Sequence, residues 1–311
     1  MKVFYELILR VFVFIGAGAI VARLISHPFV SAGKKLSVLP ALFERIFVAA
    51  VYYFVVPLFI VFSLVQVTEP FSVIWRMVLA VFFVLICGAA AAGVFARASG
   101  RKYRDVALPV AVMNSAYLAI PVNTVLFGPA GAFWAVIYNV SVTIVHFTLG
   151  AMIVKGGRTG VSSGIIPLDL PALWALVAGM LIRWLFADSA PAEFMRKIYP
   201  ALAEAVLPMM LFFVGMKTAR MSFSAGRLAI WGVPLRLFGG FLAGILAARI
   251  FGLEGSAAAV CVMSSSMPSA VNTYILANKF GADDDFAASM VLASTVLGAF
   301  TIPLVAAFIS R

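Results

Sequence analysis

Val112-Met113-Asn114-Ser115, followed by Pro121-Val122-Asn123-Thr124, has an echo roughly 150 residues later: Val262-Met263-Ser264-Ser265, then Pro268 and Val271-Asn272-Thr273. Each stretch interrupts a hydrophobic run with proline and small polar residues. Interrupted hydrophobic segments at matching places in two halves of a chain are the best sequence pointer to the binding site of a secondary transporter.

The composition around these stretches points to lipid as the solvent. The chain has 311 residues, 64% of them hydrophobic and 11% charged, against about 25% charged in an ordinary soluble domain. So much apolar surface does not fit inside one globular core. The segments are long and continuously apolar, which predicts helices and excludes a β-barrel of short alternating strands. A net charge of +11 raises the question of nucleic acid. The Lys and Arg residues sit between hydrophobic runs and form no stripe on a soluble domain, so no nucleic-acid partner is expected. Cys87 and Cys261 fall inside apolar segments and read as packing residues. His27 lies in a loop and His146 in a helix, with no ligand spacing around either, so no metal site and no cofactor are expected. The first segment contains Glu6 and Arg10 and lacks a small-residue cleavage site, which marks it as a retained span.

At roughly 20 apolar residues per crossing, the chain divides into ten spans, near 3–26, 43–66, 71–96, 105–128, 130–154, 168–187, 200–219, 228–250, 255–280 and 284–309. The expected fold is an all-α integral membrane protein of ten transmembrane helices. Residues 1–154 form the first five-helix repeat, 155–167 a short flexible linker rich in Gly and Ser, and 168–311 the second repeat. An odd number of spans per half makes the repeat inverted. Val56-Pro57-Leu58-Phe59 in span two matches Leu207-Pro208-Met209-Met210 in span seven, and Arg76 in span three matches Arg236 in span eight. The loops after the odd spans collect most of the positive charge, including Arg23, Lys34, Lys35, Arg97, Arg101, Lys102, Lys155, Arg158, Arg220, Arg227 and Lys279. The positive-inside rule places that side and the central linker in the cytoplasm, with both termini outside.

Spans four and nine carry the chemistry. Proline removes a backbone donor and clashes with the preceding turn, and carbonyls freed within a membrane must find partners or line a water-filled cavity. A break just before Pro121 and just before Pro268 yields two half-helices whose N-termini point at the midplane. Each such end offers unpaired N–H groups and about half a positive charge, so two together suit an anion, a carboxylate above all. Asn114, Ser115, Asn123, Ser269, Asn272 and Thr273 are the neutral hydrogen-bonding candidates around Pro121 and Pro268.

Asn114-Ser-Ala-Tyr-Leu-Ala-Ile-Pro121-Val resembles the first crossover signature of the auxin efflux carrier family, and Ser266-Met-Pro268 through Phe280-Gly281 resembles its second. Val56-Pro57-Leu58 also matches. The resemblance covers nearly the whole chain and implies two inverted five-helix repeats whose broken fourth and ninth helices cross. It also implies a transport domain of spans three to five and eight to ten. That domain moves, elevator fashion, against a scaffold of spans one, two, six and seven, in a homodimer. The family includes bacterial malonate carriers, which implies a small organic anion such as malonate as substrate and the bacterial inner membrane as location. The first-crossover asparagine and proline carry over to Asn114 and Pro121, and the second-crossover proline to Pro268. The short central linker, and Asn272-Thr273 in place of a second apolar-proline step, depart from the plant auxin exporters.

Ionisable groups inside a bilayer are expensive and often functional. Glu204 in span seven is the candidate carboxylate for proton coupling, provided that it is buried. Arg236 either attracts an anion or binds helix-end carbonyls. Glu6 and Arg10 lie one helical turn apart and read as a structural pair, and Asp283-Asp284-Asp285 reads as a capping cluster for span ten. The coupling ion is H+ or Na+. A sodium-coupled symporter of the bile-acid type is the alternative, weakened by the absence of Asp and Glu from span nine. No nucleophile–base pair lies inside the spans, so enzymatic activity is not expected.

Overall fold

The computed structural model describes residues 11–25, 38–156 and 170–310. Glu6, Arg10, His27 and most of the Gly- and Ser-rich linker lie outside them. Every regular element among the described residues is helical. They are α1 Val13–Ile25, α2 Val38–Ala50, α3 Val56–Val65, α4 Phe71–Ser99, α5 Tyr103–Ala111, α6 Ala119–Val145 and α7 Ala151–Lys155. After the linker come α8 Pro171–Phe186, α9 Ala190–Thr218, α10 Gly226–Pro234, α11 Gly240–Ile250, α12 Gly255–Ser265, α13 Val271–Phe280 and α14 Asp284–Ile309. The π-helical turns Val51–Val55, His146–Gly150 and Leu235–Gly239 join α2 to α3, α6 to α7 and α10 to α11.

Among the described residues, six helical stretches are long and apolar enough to cross a membrane: Leu42–Val65, Phe71–Ser99, Ala119–Lys155, Ala190–Thr218, Gly226–Ile250 and Asp284–Ile309. Val13–Ile25, Pro171–Phe186 and Gly255–Ser265 are shorter apolar helices. The stretch from Ala119 reverses at Gly128, whose φ of 61° and ψ of −146° belong to a region that only glycine occupies readily. Straight helix would hold Tyr138 some 37 Å from Met113 at 1.5 Å per residue. The reversal brings the Tyr138 hydroxyl within 3.9 Å of the Met113 sulfur instead.

Local signals explain the ends. The Asp283 carboxylate accepts the Phe286 N–H at 2.8 Å and starts α14, the side-chain cap that favours a helix N-terminus. Helix α9 begins at Ala190, well before the expected 200. Ser189 caps it by accepting the Ala192 N–H at 3.4 Å, and Pro191 stands in the first turn, where no N–H is required. Pro200 lies inside this helix and does not bound it.

Two sets of helices pack together. Helix α1 lies on α9, and α3 lies on α8 and α9. The α1–α9 backbones meet closely, since a Cβ added at Gly215 would strike the Ile15 carbonyl and one at Gly18 the Phe212 carbonyl; small residues allow such contacts between membrane helices. The other set joins α4 to α5 and α11, α12 to α6 and α11, and α14 to α5, α10 and α13. The outer surface is apolar, with Phe54, Trp231 and Trp184 at 73%, 74% and 80% exposure, as an integral membrane protein in contact with lipid requires.

The connections sort onto two ends. At one end Arg101, after α4, pairs with Asp283, before α14, at 2.6 Å. There Ser224, after α9, also donates to Asp285 at 2.7 Å. At the other end Arg183 donates to the Glu69 carbonyl, Arg196 to the Val65 carbonyl at 3.1 Å and Arg76 to the Gly252 carbonyl at 3.5 Å.

Candidate functional site: a crossing of two broken helices

The two sequence echoes meet in space. Helix α5 ends at Ala111 and α6 starts at Ala119; helix α12 ends at Ser265 and α13 starts at Val271. Between them Met113 and Ser269 form an isolated antiparallel bridge. The Asn114 N–H donates to the Pro268 carbonyl at 2.7 Å, and the Ala270 N–H to the Val112 carbonyl at 3.1 Å. Each broken helix thus satisfies the backbone of the other, as buried polar groups require.

The prolines act differently from the expectation of a break just before each. Pro121 is the third residue of α6, a first-turn position at which its missing N–H costs nothing. The first break lies earlier, at 112–118. Pro268 stands in the middle of the second break and packs near Gly298.

The free donors shift accordingly. At α6 the Ala119 and Ile120 N–H groups are taken by the Asn114 and Ala116 carbonyls, at 3.1 and 3.2 Å. In the preceding turn the N–H groups of Ala116 and Tyr117 are among those without a protein partner. At α13 the Val271 and Asn272 N–H groups have none, and no side chain caps this helix. These four residues line one cavity of about 40 Å³, together with Asn114, Ser115, Asn139 and His146. Its room matches about three water molecules, the scale of a single carboxylate group. A larger groove on the outer surface, between Phe238, Leu297 and Phe308, has almost wholly apolar walls.

Three of the residues expected at the site, Asn114, Ser115 and Asn272, line this cavity. Ser115 donates to the Asn139 side-chain carbonyl at 2.9 Å, which fixes a polar wall. Asn123 is fully buried behind the crossing. Its amide donates to Ser264 at 3.0 Å and to the Ala119 carbonyl at 2.8 Å, while its carbonyl oxygen has no partner. The Ser269 hydroxyl is likewise buried without a partner, and the Ser269 N–H donates to Ser294 at 3.0 Å. Thr273 donates to the Ala270 carbonyl at 2.6 Å. Pro121, Asn123, Pro268, Ser269 and Thr273 shape the crossing without lining the cavity.

Arg236 is 1% exposed and opens no path to solvent. Its guanidinium donates to the Val110 carbonyl at 3.2 Å, the Ala111 carbonyl at 2.5 Å and the Ser265 carbonyl at 2.6 Å. One cation therefore holds the C-terminal, partly negative ends of α5 and α12, while the two N-terminal ends lie across the crossing. Glu204, the candidate for proton coupling provided that it is buried, stands on an exposed face of α9. The inward stripe of that helix runs through Tyr199, Ala203, Val206 and Met210, and Glu204 falls off it.

Asn139, Tyr138, Ser264, Ser265 and His146 were not singled out as site residues from sequence. Tyr138 and Ser265 share a hydrogen bond of 2.9 Å over 127 positions of chain, which no local pattern reveals. His146 did carry a signal, as an ionisable side chain inside a span.

Residues 170–306 match the family model for membrane transport proteins. An uncharacterized transporter of Methanothermobacter thermautotrophicus is 27% identical over 215 residues, which cover 66% of this chain and 68% of that relative.

Proposed function

Because the chain belongs to the auxin efflux carrier-like family of membrane transport proteins, we propose that it is a secondary active transporter of a small organic anion bound at the crossing. The observation that carries this reading is the cavity beside the Met113–Ser269 bridge, lined by residues with unpartnered N–H groups, Ala116 and Tyr117 in the turn before α6 and Val271 and Asn272 at the start of α13. Backbone donors at helix N-termini bind carboxylates without a buried Lys or Arg, and Asn114 and Asn272 add neutral hydrogen bonds. A small carboxylate such as malonate fits this donor set.

The ten spans form two inverted repeats on this reading. The α1, α3, α8 and α9 set is the scaffold and the set around the crossing is the transport domain, which moves across the bilayer in the elevator manner within a homodimer. The end bearing Arg101 and Arg220 faces the cytoplasm of the bacterial inner membrane. A second reading is sodium coupling of the bile-acid type: the Asn123 carbonyl oxygen and the Ser269 hydroxyl are buried oxygens without partners, the ligand type that hard cations take.

The test is uptake of radiolabelled malonate into proteoliposomes, with and without sodium and pH gradients. Asn114→Ala is expected to lower saturable uptake about tenfold or more, the loss of one to two hydrogen bonds to a charged group. Saturable uptake unchanged in that variant would remove the crossing as the anion site.

A further inference from the structure

His146 is the ionisable side chain for which the crossing has no structural use. It is 3% exposed, and its ring lies beside the Asn272 backbone without a well-formed hydrogen bond at either nitrogen. Burying a polar group without a partner costs about 1–3 kcal/mol, so a ring in this state stands ready for a ligand or water. It lines the same cavity as Asn114, Ser115 and Asn272. It also opens the π-helical turn His146–Gly150, and such turns occur frequently at functional sites because they re-aim side chains out of helical register. Phe147 stands edge-on to the ring, its centroid 4.8 Å away.

The charge balance of the cavity gives the ring a task. Its lining holds no Asp, Glu, Lys or Arg; the other titratable residue is Tyr117. Of the elements packed around His146, α6 contributes Tyr138, bonded to Ser265. Arg104 and Asp105 lie toward the start of α5, paired at 3.7 Å. Lys155 is at the end of α7, and Tyr274 and Lys279 are on α13. Arg104, Lys155 and Lys279 are displaced by roughly 10–13 Å along their helices from the cavity. An anion entering here meets partial charges from helix ends and no full counter-charge. A lone buried charge is costly, and an ion pair is far less so.

We propose that His146 is the proton carrier of the substrate cavity: as imidazolium it donates a ring N–H to the bound anion, and it gives up its proton to water when the anion leaves. The inference rests on the carrier reading and deepens it, because one proton taken from water on the uptake side enters with each anion. Imidazole is the side chain whose protonation is readily shifted near neutral pH.

The experiment is equilibrium binding of radiolabelled malonate, with succinate and lactate as further probes, to purified protein between about pH 6.5 and 8.5. Proton-gradient-driven uptake into proteoliposomes accompanies it. The wild type is expected to lose affinity toward alkaline pH, approaching tenfold per pH unit once the ring is neutral. His146→Gln is expected to bind weakly with a flat profile and to lose the proton-gradient response. His146→Asn replaces it if the Gln variant does not fold. PH-independent binding in the wild type overturns the inference and leaves the carrier reading standing. So does a histidine variant that keeps the wild-type slope, or a slope abolished by Glu204→Gln and not by the histidine variant. Failure of the wild type to bind any of the three carboxylates removes the carrier reading and the inference together.

Discussion

Arg236 holds carbonyls that are 125 and 29 positions away in the chain, so its partners are invisible to any local pattern. Sequence offered two roles for it, anion attraction and helix-end binding, and only the three-dimensional crossing shows which groups it touches. Lysine at this position keeps the charge but is a point donor on a flexible stem, without the planar fork that spans two helix ends. Arg236→Lys is expected to cost about 2–4 kcal/mol through carbonyls left unpaired, read as a lower midpoint in SDS-induced unfolding. An unchanged midpoint would show that water replaces the guanidinium. Asn114 was legible from the signature that runs from it to Pro121, and Asn272 because Val271-Asn272-Thr273 repeats Val122-Asn123-Thr124. His146 was legible only as an ionisable side chain in an apolar run, and what distinguishes it, a ring without a well-formed hydrogen bond in the shared cavity, comes from the fold.

At the level of helices, proline announced the broken spans but misplaced their ends. Pro121 fits a first turn as comfortably as it would follow a break, and the sequence does not separate the two cases. The reversal at Gly128 is more decisive, because its backbone angles are closed to other residues. Gly128→Ala is expected to cost about 1–3 kcal/mol, measured as a fall in thermal midpoint in detergent. No fall would mean that the reversal has another conformation open to it. The π-helical turns leave no trace in hydropathy, since each keeps the apolar run intact while changing which side chains face inward. Arg236 and His146 both sit in such turns.

Across the molecule, hydropathy located the apolar segments and charge sorted their connections. Ion pairs and hydrogen bonds gather the connections after α4, α9 and α13 at one end. This physical sorting agrees with the sidedness of the positive charge, although direction through a membrane is a separate matter. With Cys87→Ala and Cys261→Ala as background, Ser222→Cys is expected to react with an impermeant maleimide only from the cytoplasm and Thr68→Cys only from outside. The reverse pattern would invert the topology. Glu204 shows the limit of reading depth from sequence: its span was identified, but which face of the helix is covered depends on what packs against it.

The crossing is stitched through Asn114, Pro268, Val112 and Ala270 by main-chain atoms, which every amino acid supplies. Descendants of this gene could therefore exchange the side chains around the cavity, and with them the molecule accepted, without unpicking the join that makes the cavity. A substrate preference built on such a frame is cheap to change over generations, while the architecture that carries it is not.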